Sequence, residues 1–131
     1  MIGLDTNLLV RYFAQDDPVQ SGKATDLIER RLSERDPGFI SIVAMVETVW
    51  VLQRAYSLGN QAVATAIERT LQADALVVEN EQEVFTAMIA LKEGRGSFAN
   101  ALIGALDAKA GCVTTVTFDR RASRLSGFEL F

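Results

Sequence analysis

The sequence MIGLDTNLLV, residues 1–10, decides the fold class of this chain. Its apolar run at residues 2–4 is typical of a short buried strand. The run ends at Asp5, Thr6 and Asn7, three residue types that favour helix N-caps. The apolar spacing behind them predicts a helix over residues 8–14. A buried strand that passes directly into a helix is a characteristic start for an α/β protein.

The rest of the chain repeats this alternation of strand and helix. Asp17 is predicted to cap a helix that has Pro18 at its first position and runs to about residue 36. Further strands are predicted at residues 39–40, 76–78, 112–116 and 128–130. Helices are predicted at residues 43–56, 61–73, 81–92 and 98–110, with a short helical turn at 120–125. The pattern predicts a single domain over residues 1–131, a three-layer α/β/α sandwich with a short-stranded, mainly parallel central sheet.

The composition excludes several classes of enzyme. The 131 residues include no histidine and one cysteine, Cys112. These absences exclude Ser-His-Asp and Cys-His catalysis, the usual zinc hydrolase ligand sets and an intrachain disulfide. A hydrolase of this composition must use carboxylates, together with a hard cation that prefers oxygen ligands. The net charge of −4 leaves nucleic acid open as a partner, because a local basic patch still binds phosphate.

The sequence also indicates a cellular location. No apolar run reaches the length of a transmembrane helix, and the N-terminus lacks the pattern of a signal peptide. We therefore expect a cytoplasmic protein with no membrane partner.

Three acidic residues stand where a parallel sheet would gather polar side chains. Asp5 and Asp119 each follow a predicted strand, and the carboxyl ends of parallel strands are where ligands bind. Glu47 is the only charge in the apolar stretch 40–52, and a buried carboxylate needs a partner or a metal. The alternative is a helix cap for Asp5 and Asp119, and for Glu47 a helix face turned toward water or a pair with Arg54. Brought together, the three carboxylates would repel one another unless Mg²⁺ or Mn²⁺ lay between them.

Two polar residues near the start of the helix at 98–110 are further candidates. Ser97 and Asn100 are one turn apart, and helix capping or surface exposure is the alternative for both. Asp107 lies two turns beyond Asn100, about 10 Å by helix rise, which is too far to share a metal. We expect Asp107 to be solvated.

Three parts of the chain resemble the PIN-domain family, specifically its VapC-type toxins. The first is LDTNLL at 4–9, and the second is IS at 40–41 with VE at 46–47 and WVL at 50–52. The third is the closing part, 96–130, with SFA at 97–99, ALI at 101–103, AGC at 110–112 and TFD at 117–119. Each motif alone is weak, whereas the three in this order along the chain are specific.

The resemblance implies a metal-dependent endoribonuclease that uses Mg²⁺ or Mn²⁺ and cuts structured RNA, often tRNA. It also implies a cognate antitoxin that blocks the site, and usually a homodimer. The metal-binding acids that it implies are Asp5, Glu47 and Asp119. The supporting hydroxyls are those of Thr6 and Thr117, and we group Ser97 with them.

Asn100 departs from the family pattern, which has an aspartate at this place in its Phe-Ala-Asp-Ala-Leu-Ile-like string. The amide oxygen of Asn100 remains a metal ligand but brings no negative charge, so we expect weaker metal binding and reduced or lost activity. This residue leaves a second interpretation open, a PIN-like module that binds RNA or antitoxin without cutting. A third, an aspartate phosphotransferase, is set aside because its phosphatase form would need an acid where the chain has Asn7.

Arginines near the candidate acids are candidate RNA contacts. Arg120 and Arg121 follow Asp119, and Arg95 precedes the helix that carries Asn100. We expect these arginines to hold the phosphates of the substrate, which positions RNA without reading its sequence. Ordinary surface charge is the alternative.

An apolar stripe is a candidate groove for an antitoxin segment, with core packing as the alternative. Its residues are Leu27, Ile28 and Leu32, with Tyr12 and Phe13 of the preceding helix.

Overall fold

The computed structural model describes the whole chain, Met1–Phe131, as two compact units. The first unit is Met1–Glu81 and the second is Gln82–Phe131. Each unit has its own small sheet of parallel strands.

The first unit contains a three-stranded parallel sheet. Its strands are β1 (Ile2–Gly3), β2 (Gly38–Ile40) and β3 (Leu76–Val78), with β2 in the middle. Gly38 pairs with Ile2 on one side and with Leu76 on the other, so the carboxyl ends of the strands share one edge. The helices are α1 (Thr6–Ala14), α2 (Pro18–Asp26), α3 (Ile42–Arg54) and α4 (Asn60–Gln72).

Side-chain caps determine where α2 and α3 begin. Asp17 Oδ1 accepts the backbone N–H of Val19 at 3.1 Å, and Pro18 occupies the first helical position. Ser41 Oγ accepts the backbone N–H of Ala44 at 3.1 Å at the start of α3. Each cap contributes about 1 kcal/mol, because it satisfies an amide that has no partner within the helix.

Apolar burial stabilises these short strands. Leu9, Ile40, Leu52 and Val63 are fully buried and come from α1, β2, α3 and α4 respectively. Burying each such side chain contributes roughly 1.5–3 kcal/mol. A backbone hydrogen bond contributes a net value of only about 1 kcal/mol, and strands of two or three residues make few of them. The helices that cover the sheet therefore stabilise it more than its own ladder does.

The second unit joins two helices to a two-stranded parallel sheet. Helices α5 (Glu81–Lys92) and α6 (Phe98–Ala110) precede β4 (Thr115–Thr117), and a 3₁₀ turn at Ala122–Arg124 leads to β5 (Phe128–Leu130). In the sheet, Thr115 pairs with Phe128 and Thr117 pairs with Leu130. Phe98, the first residue of α6, is the largest fully buried side chain of the chain.

The predicted α/β/α fold class, with short parallel strands between helices, is confirmed. The single domain over residues 1–131 stays a prediction. The chain contains no helix with the length and apolar character needed to cross a membrane.

Two predicted boundaries are wrong. Helix α2 ends at Asp26 and continues only as a π-helical turn, Leu27–Arg31, instead of reaching about residue 36. Strand β4 begins at Thr115 and not at residue 112, because residues 111–114 form the turn and loop that follow α6, which ends at Ala110 as predicted. Gly111 closes α6 with a φ of 100°, and the Cys112 N–H still bonds to the Asp107 carbonyl at 3.0 Å.

Candidate functional site

Asp5 lies just beyond the carboxyl end of β1. It occupies the N-cap position of α1 with an extended backbone (φ −81°, ψ 159°), yet its carboxylate accepts no hydrogen bond from the helix. An N-cap aspartate normally accepts an amide of the first turn. Because Asp5 does not cap and is exposed, its carboxylate oxygens are free to bind a cation. The next residue, Thr6, is buried as the first residue of α1.

Glu47 faces solvent, so the expectation of a carboxylate buried among apolar side chains is wrong. It is exposed on α3 together with Val43 and Trp50, whereas Met45 lies on the buried side of the helix. The alternative that this side faces water is confirmed. Arg54 forms no ion pair with Glu47, and its guanidinium carbon lies 5.5 Å from the centroid of the Trp50 ring instead. Burial therefore provides no argument for a metal at Glu47.

Asp119 caps the turn that follows β4. Its Oδ1 accepts the backbone N–H of Arg121 at 2.8 Å and that of Ala122 at 3.4 Å. Its own N–H donates to Thr117 Oγ1 at 3.0 Å. The capping alternative is confirmed for Asp119, and these bonds hold the carboxylate in one orientation. Oδ2 takes no part in them and keeps its capacity as a ligand.

Ser97 and Asn100 form the start of α6. Ser97 is the N-cap, and its Oγ accepts the backbone N–H of Asn100 at 3.1 Å. The capping alternative is therefore confirmed for Ser97. Only the backbone of Asn100 takes part in this bond, and its half-buried side-chain amide is not used by the cap.

Two acids have structural roles that sequence reasoning missed. Glu79 follows β3, and its Oε1 accepts the N–H of Ile42, the first residue of α3, at 2.8 Å. The rule that singled out Asp5 and Asp119, an acid just after a strand, would also have found Glu79. Asp107 is half-buried and its Oδ2 accepts the hydroxyl of Thr115 at 2.7 Å, so the expectation that it is solvated is wrong.

The three candidate RNA-binding arginines are all exposed, but they differ in their partners. Arg95 forms an ion pair with Glu93 at 3.1 Å. Arg120 and Arg121 have no ion pair, and their guanidinium groups are therefore available to an anion. The structure thus favours Arg120 and Arg121 over Arg95 as phosphate contacts.

Two of the four predicted metal ligands lie in each unit. Asp5 and Glu47 belong to the first, and Asn100 and Asp119 to the second. Within each unit, no group of three or more acidic or cysteine side chains is close enough to hold a metal ion. The assignment of these four residues as one ligand set stays a prediction.

A groove of about 560 Å³ in the first unit lies between α1, α4, and the end of α2 with the π-helical turn Leu27–Arg31. Tyr12, Phe13 and Ile28 line it, whereas Leu27 and Leu32 do not. Ile28 and Leu32 are both buried, so the core-packing alternative holds for these two residues. The Tyr12 hydroxyl donates to Glu29 Oε2 at 2.8 Å in this groove. Burial of the phenol, with this hydrogen bond, raises the pKa of Tyr12 to about 12.

Comparison with known protein families matches residues 2–127 to the PIN domain. The chain belongs to the PIN-domain family. PIN domains are generally nucleases that use divalent metal ions, so this PIN domain has a nuclease-type fold. A search of curated proteins finds no match to the chain.

Because PIN domains generally use divalent metal ions, the free side-chain oxygens of this PIN domain are candidate metal ligands. Carboxylate and amide oxygens are the ligands that Mg²⁺ and Mn²⁺ prefer. Asp5 offers a carboxylate that its helix does not use, and Asp119 offers Oδ2. These donors fit the class of metal ion that the family uses.

Proposed function

We propose that the chain is a metal-dependent endoribonuclease, the toxin component of a type II toxin–antitoxin system, that hydrolyses phosphodiester bonds in tRNA or other structured RNA. Its membership in the PIN-domain family supports the nuclease chemistry. The observation that carries the proposal is the carboxylate of Asp5, which stands at a helix N-cap without capping.

The metal ligands we propose are Asp5, Glu47, Asn100 and Asp119. Their chemistry fits Mg²⁺ or Mn²⁺, because each supplies a hard oxygen. Glu47 is exposed and unpaired, and the backbone bonds of Asp119 leave Oδ2 unused. A bound divalent ion supplies charge that polarises a phosphodiester and lowers the pKa of a water molecule.

The chain's own residues position the substrate and the ligands. The amides of Arg121 and Ala122 fix the carboxylate of Asp119, and the hydroxyl of Thr117 holds the backbone just before it. We propose that the unpaired guanidinium groups of Arg120 and Arg121 neutralise the phosphates of the RNA. Thr6 and Ser97 support the site through the starts of α1 and α6.

The test is cleavage of a bulk tRNA pool with Mg²⁺ or Mn²⁺, beside an EDTA control and the Asp5→Asn variant. Asn keeps the size of the side chain, and Asp5 makes no side-chain hydrogen bond in its helix, so the variant should fold. Discrete fragments that vanish with EDTA and in Asp5→Asn would support the proposal. Fragments that persist in either control would contradict it.

The second candidate function is a PIN-like module that binds RNA or antitoxin without cutting, and Asn100 is the observation that favours it. Calorimetry with Mn²⁺ separates the two candidates. Mn²⁺ binding that Asp5→Asn removes, with no tRNA fragments, would support the module. Mn²⁺ binding with fragments would support the nuclease.

For the antitoxin we propose the groove of the first unit as the docking site. Phe13, Ile28 and Leu58 contribute apolar surface to it, and Glu29 and Arg69 are its charged groups. Ala62 is exposed and lines the groove, so Ala62→Arg would fill it without disturbing the core. This variant should cleave RNA normally and resist inhibition by the co-expressed antitoxin. Inhibition as strong as that of the parent would remove the groove from the proposal.

We also propose that the chain forms a homodimer in solution. The family resemblance is its support. Sedimentation equilibrium measures the state directly, and a mass equal to one chain at all concentrations would contradict it.

A further inference from the structure

Phe118 and Phe131 form an exposed aromatic pair in the second unit. Their ring centroids are 5.5 Å apart and the ring planes meet at 89°. Phe118 is 81% exposed and Phe131 is 80% exposed, although each ring touches the other. Most of both ring surfaces therefore remains open to a ligand.

The pairing of β4 with β5 holds this aromatic pair in place. Phe118 follows β4 and Phe131 follows β5, one residue beyond the registered pair Thr117 and Leu130. The backbone N–H of Phe131 donates to the Thr117 carbonyl at 2.8 Å, which extends the ladder to the pair. The two rings are therefore presented by ordered backbone.

Such a pair is costly to leave in water. Phe side chains gain about 1.5–3 kcal/mol each on full burial, and an edge-to-face contact contributes only about 0.5–1.5 kcal/mol. Val116 of β4, two residues before Phe118, is also 57% exposed. A cluster of exposed apolar groups of this kind marks a binding surface more often than an isolated exposed residue does.

The charge around the pair points to a polyanion. Three exposed arginines in residues 118–131 form no ion pair: Arg120, Arg121 and Arg124. The same segment contains two acidic residues, Asp119 and Glu129. The side chains of this segment thus carry a net charge of +1, in a chain whose net charge is −4. Aromatic rings beside unpaired arginines are the combination that single-stranded nucleic acids recognise, through base stacking and phosphate contacts.

We propose that Phe118 and Phe131 stack an unpaired base of the RNA while Arg120 and Arg121 hold the adjacent phosphates. This inference rests on the proposed function for the identity of the polymer. Every base has a π face, so the surface selects unpaired strand over duplex and tolerates any base. A second copy of the chain is a poorer occupant, because a two-fold contact here would bring the arginines of both copies together.

The experiment measures binding in EDTA, so that cleavage does not interfere. The probes are a fluorescein-labelled oligoadenylate and an oligomer of equal length whose central bases are replaced by abasic sites. Both carry the same number of phosphates, so the comparison isolates base stacking. The variants are Phe118→Leu and Phe131→Leu, and Phe85→Leu is the matched control because Phe85 is an exposed phenylalanine elsewhere in the same unit, on α5.

We expect the parent to bind the oligoadenylate more tightly than the abasic oligomer. Phe118→Leu should weaken oligoadenylate binding by about 5- to 150-fold, the range for loss of one stacked base. Its affinity for the abasic oligomer should not change, and Phe85→Leu should match the parent on both probes. Phe118 is exposed, so its replacement should leave the circular dichroism spectrum unchanged and should lower the thermal transition only by the loss of the contact with Phe131.

Two results would overturn the inference. One is equal affinity of the parent for the two oligomers, or an equal loss on both in Phe118→Leu. The other is a dimer in sedimentation that Phe118→Leu converts to monomer with oligoadenylate affinity unchanged, which would make the pair a protein contact. The tRNA cleavage assay tests the proposed function separately, since a chain that stacks the base without cutting would refute only the nuclease.

Discussion

At the residue scale, Asp5 and Asp119 show how one sequence pattern leads to two different side-chain environments. Both acids follow a parallel strand and precede a helical turn. Asp119 Oδ1 is bound by backbone amides, whereas the carboxylate of Asp5 accepts no hydrogen bond at its N-cap position. Residue type and position after a strand therefore do not determine whether such a carboxylate is occupied by backbone amides.

Asn100→Asp tests the metal ligands directly. An added carboxylate attracts a divalent cation, and we expect Mn²⁺ affinity to rise by about tenfold, equivalent to ~1.4 kcal/mol. The free-ion signal in electron paramagnetic resonance measures binding, and cleavage of the tRNA pool should rise in parallel. The matched control is Asn60→Asp, which adds the same charge at α4 and keeps the acceptor for Gln53. Unchanged Mn²⁺ affinity in Asn100→Asp would remove this residue from the proposed site.

Tyr12 should make the free energy of unfolding decrease as the pH rises into the alkaline range. Burial and the hydrogen bond to Glu29 raise its pKa to about 12 from an ordinary value of 10. The folded state therefore keeps the phenolic proton when the unfolded state has lost it. The resulting stabilisation is complete below about pH 10 and is lost as the pH rises through about 12.

The measurement is the urea midpoint at a series of pH values from about 9 to 12. The midpoint of the parent should fall more steeply with pH than that of Tyr12→Phe, which has no proton to lose at this position. Tyr56, whose pKa is raised mainly by its hydrogen bond to Asp16, contributes equally to both proteins. Parallel curves for the two proteins would show that Tyr12 titrates normally.

At the element scale, two glycines inside helices have opposite structural roles. Gly22 lies in α2, where an added Cβ would have no atom within 4 Å, so this glycine leaves the helix more flexible without a packing reason. Gly104 lies in α6, where an added Cβ would stand 2.5 Å from Phe128 Cε2. Gly104 therefore allows α6 to approach the aromatic ring of β5.

The alanine variants should shift stability in opposite directions. Gly22→Ala is expected to raise the free energy of unfolding by about 0.5–1 kcal/mol, since alanine restricts the unfolded chain. Gly104→Ala is expected to lower it by roughly 1–3 kcal/mol through overpacking against Phe128. Urea denaturation measures both. A stabilised Gly104→Ala protein would show that the ring of Phe128 moves aside freely.

At the scale of the whole molecule, the net charge is negative, whereas the candidate RNA-binding residues Arg120 and Arg121 are positive. The chain carries a net charge of −4, which repels RNA at long range. The unpaired guanidinium groups of Arg120 and Arg121 oppose this repulsion locally. RNA binding should therefore be sensitive to salt and should depend on these few residues.

Charge reversal at Arg120 and Arg121 should weaken RNA binding and flatten its salt dependence. Each phosphate contact on a single strand contributes roughly 0.7 to the slope of log K against log salt, so losing two should reduce the slope by about 1.4. The double variant Arg31→Glu, Arg35→Glu is the control, because both residues are exposed and the change in net charge is the same. Fluorescence anisotropy across a salt series measures the slopes. Equal slopes in the two double variants would exclude Arg120 and Arg121 from the interface.

Local sequence features were enough to predict the order and class of the elements. Caps such as Asp17 with Pro18, and the apolar spacing of each helix, are local features that propensity and side-chain chemistry express directly. The motifs within 4–9, 40–52 and 96–130 carried the resemblance to the PIN-domain family. The end of α2 and the start of β4 were not predictable in this way, since the π-helical turn at Leu27–Arg31 and the point where β4 begins to pair with β5 depend on how the chain packs.

Which polar groups are free depends on the packing of segments that are distant in the sequence. Local sequence does not show that Glu47 is exposed on α3, or that the carboxylate of Asp5 accepts no hydrogen bond from α1. Nor does it show that Glu79 accepts the backbone N–H of Ile42. It also does not show that the ladder of β4 and β5 sets Phe118 against Phe131. The physical reason is that burial and hydrogen bonding are properties of neighbours distant in sequence. Secondary structure follows from short-range spacing, whereas the chemistry available to a site depends on those distant contacts.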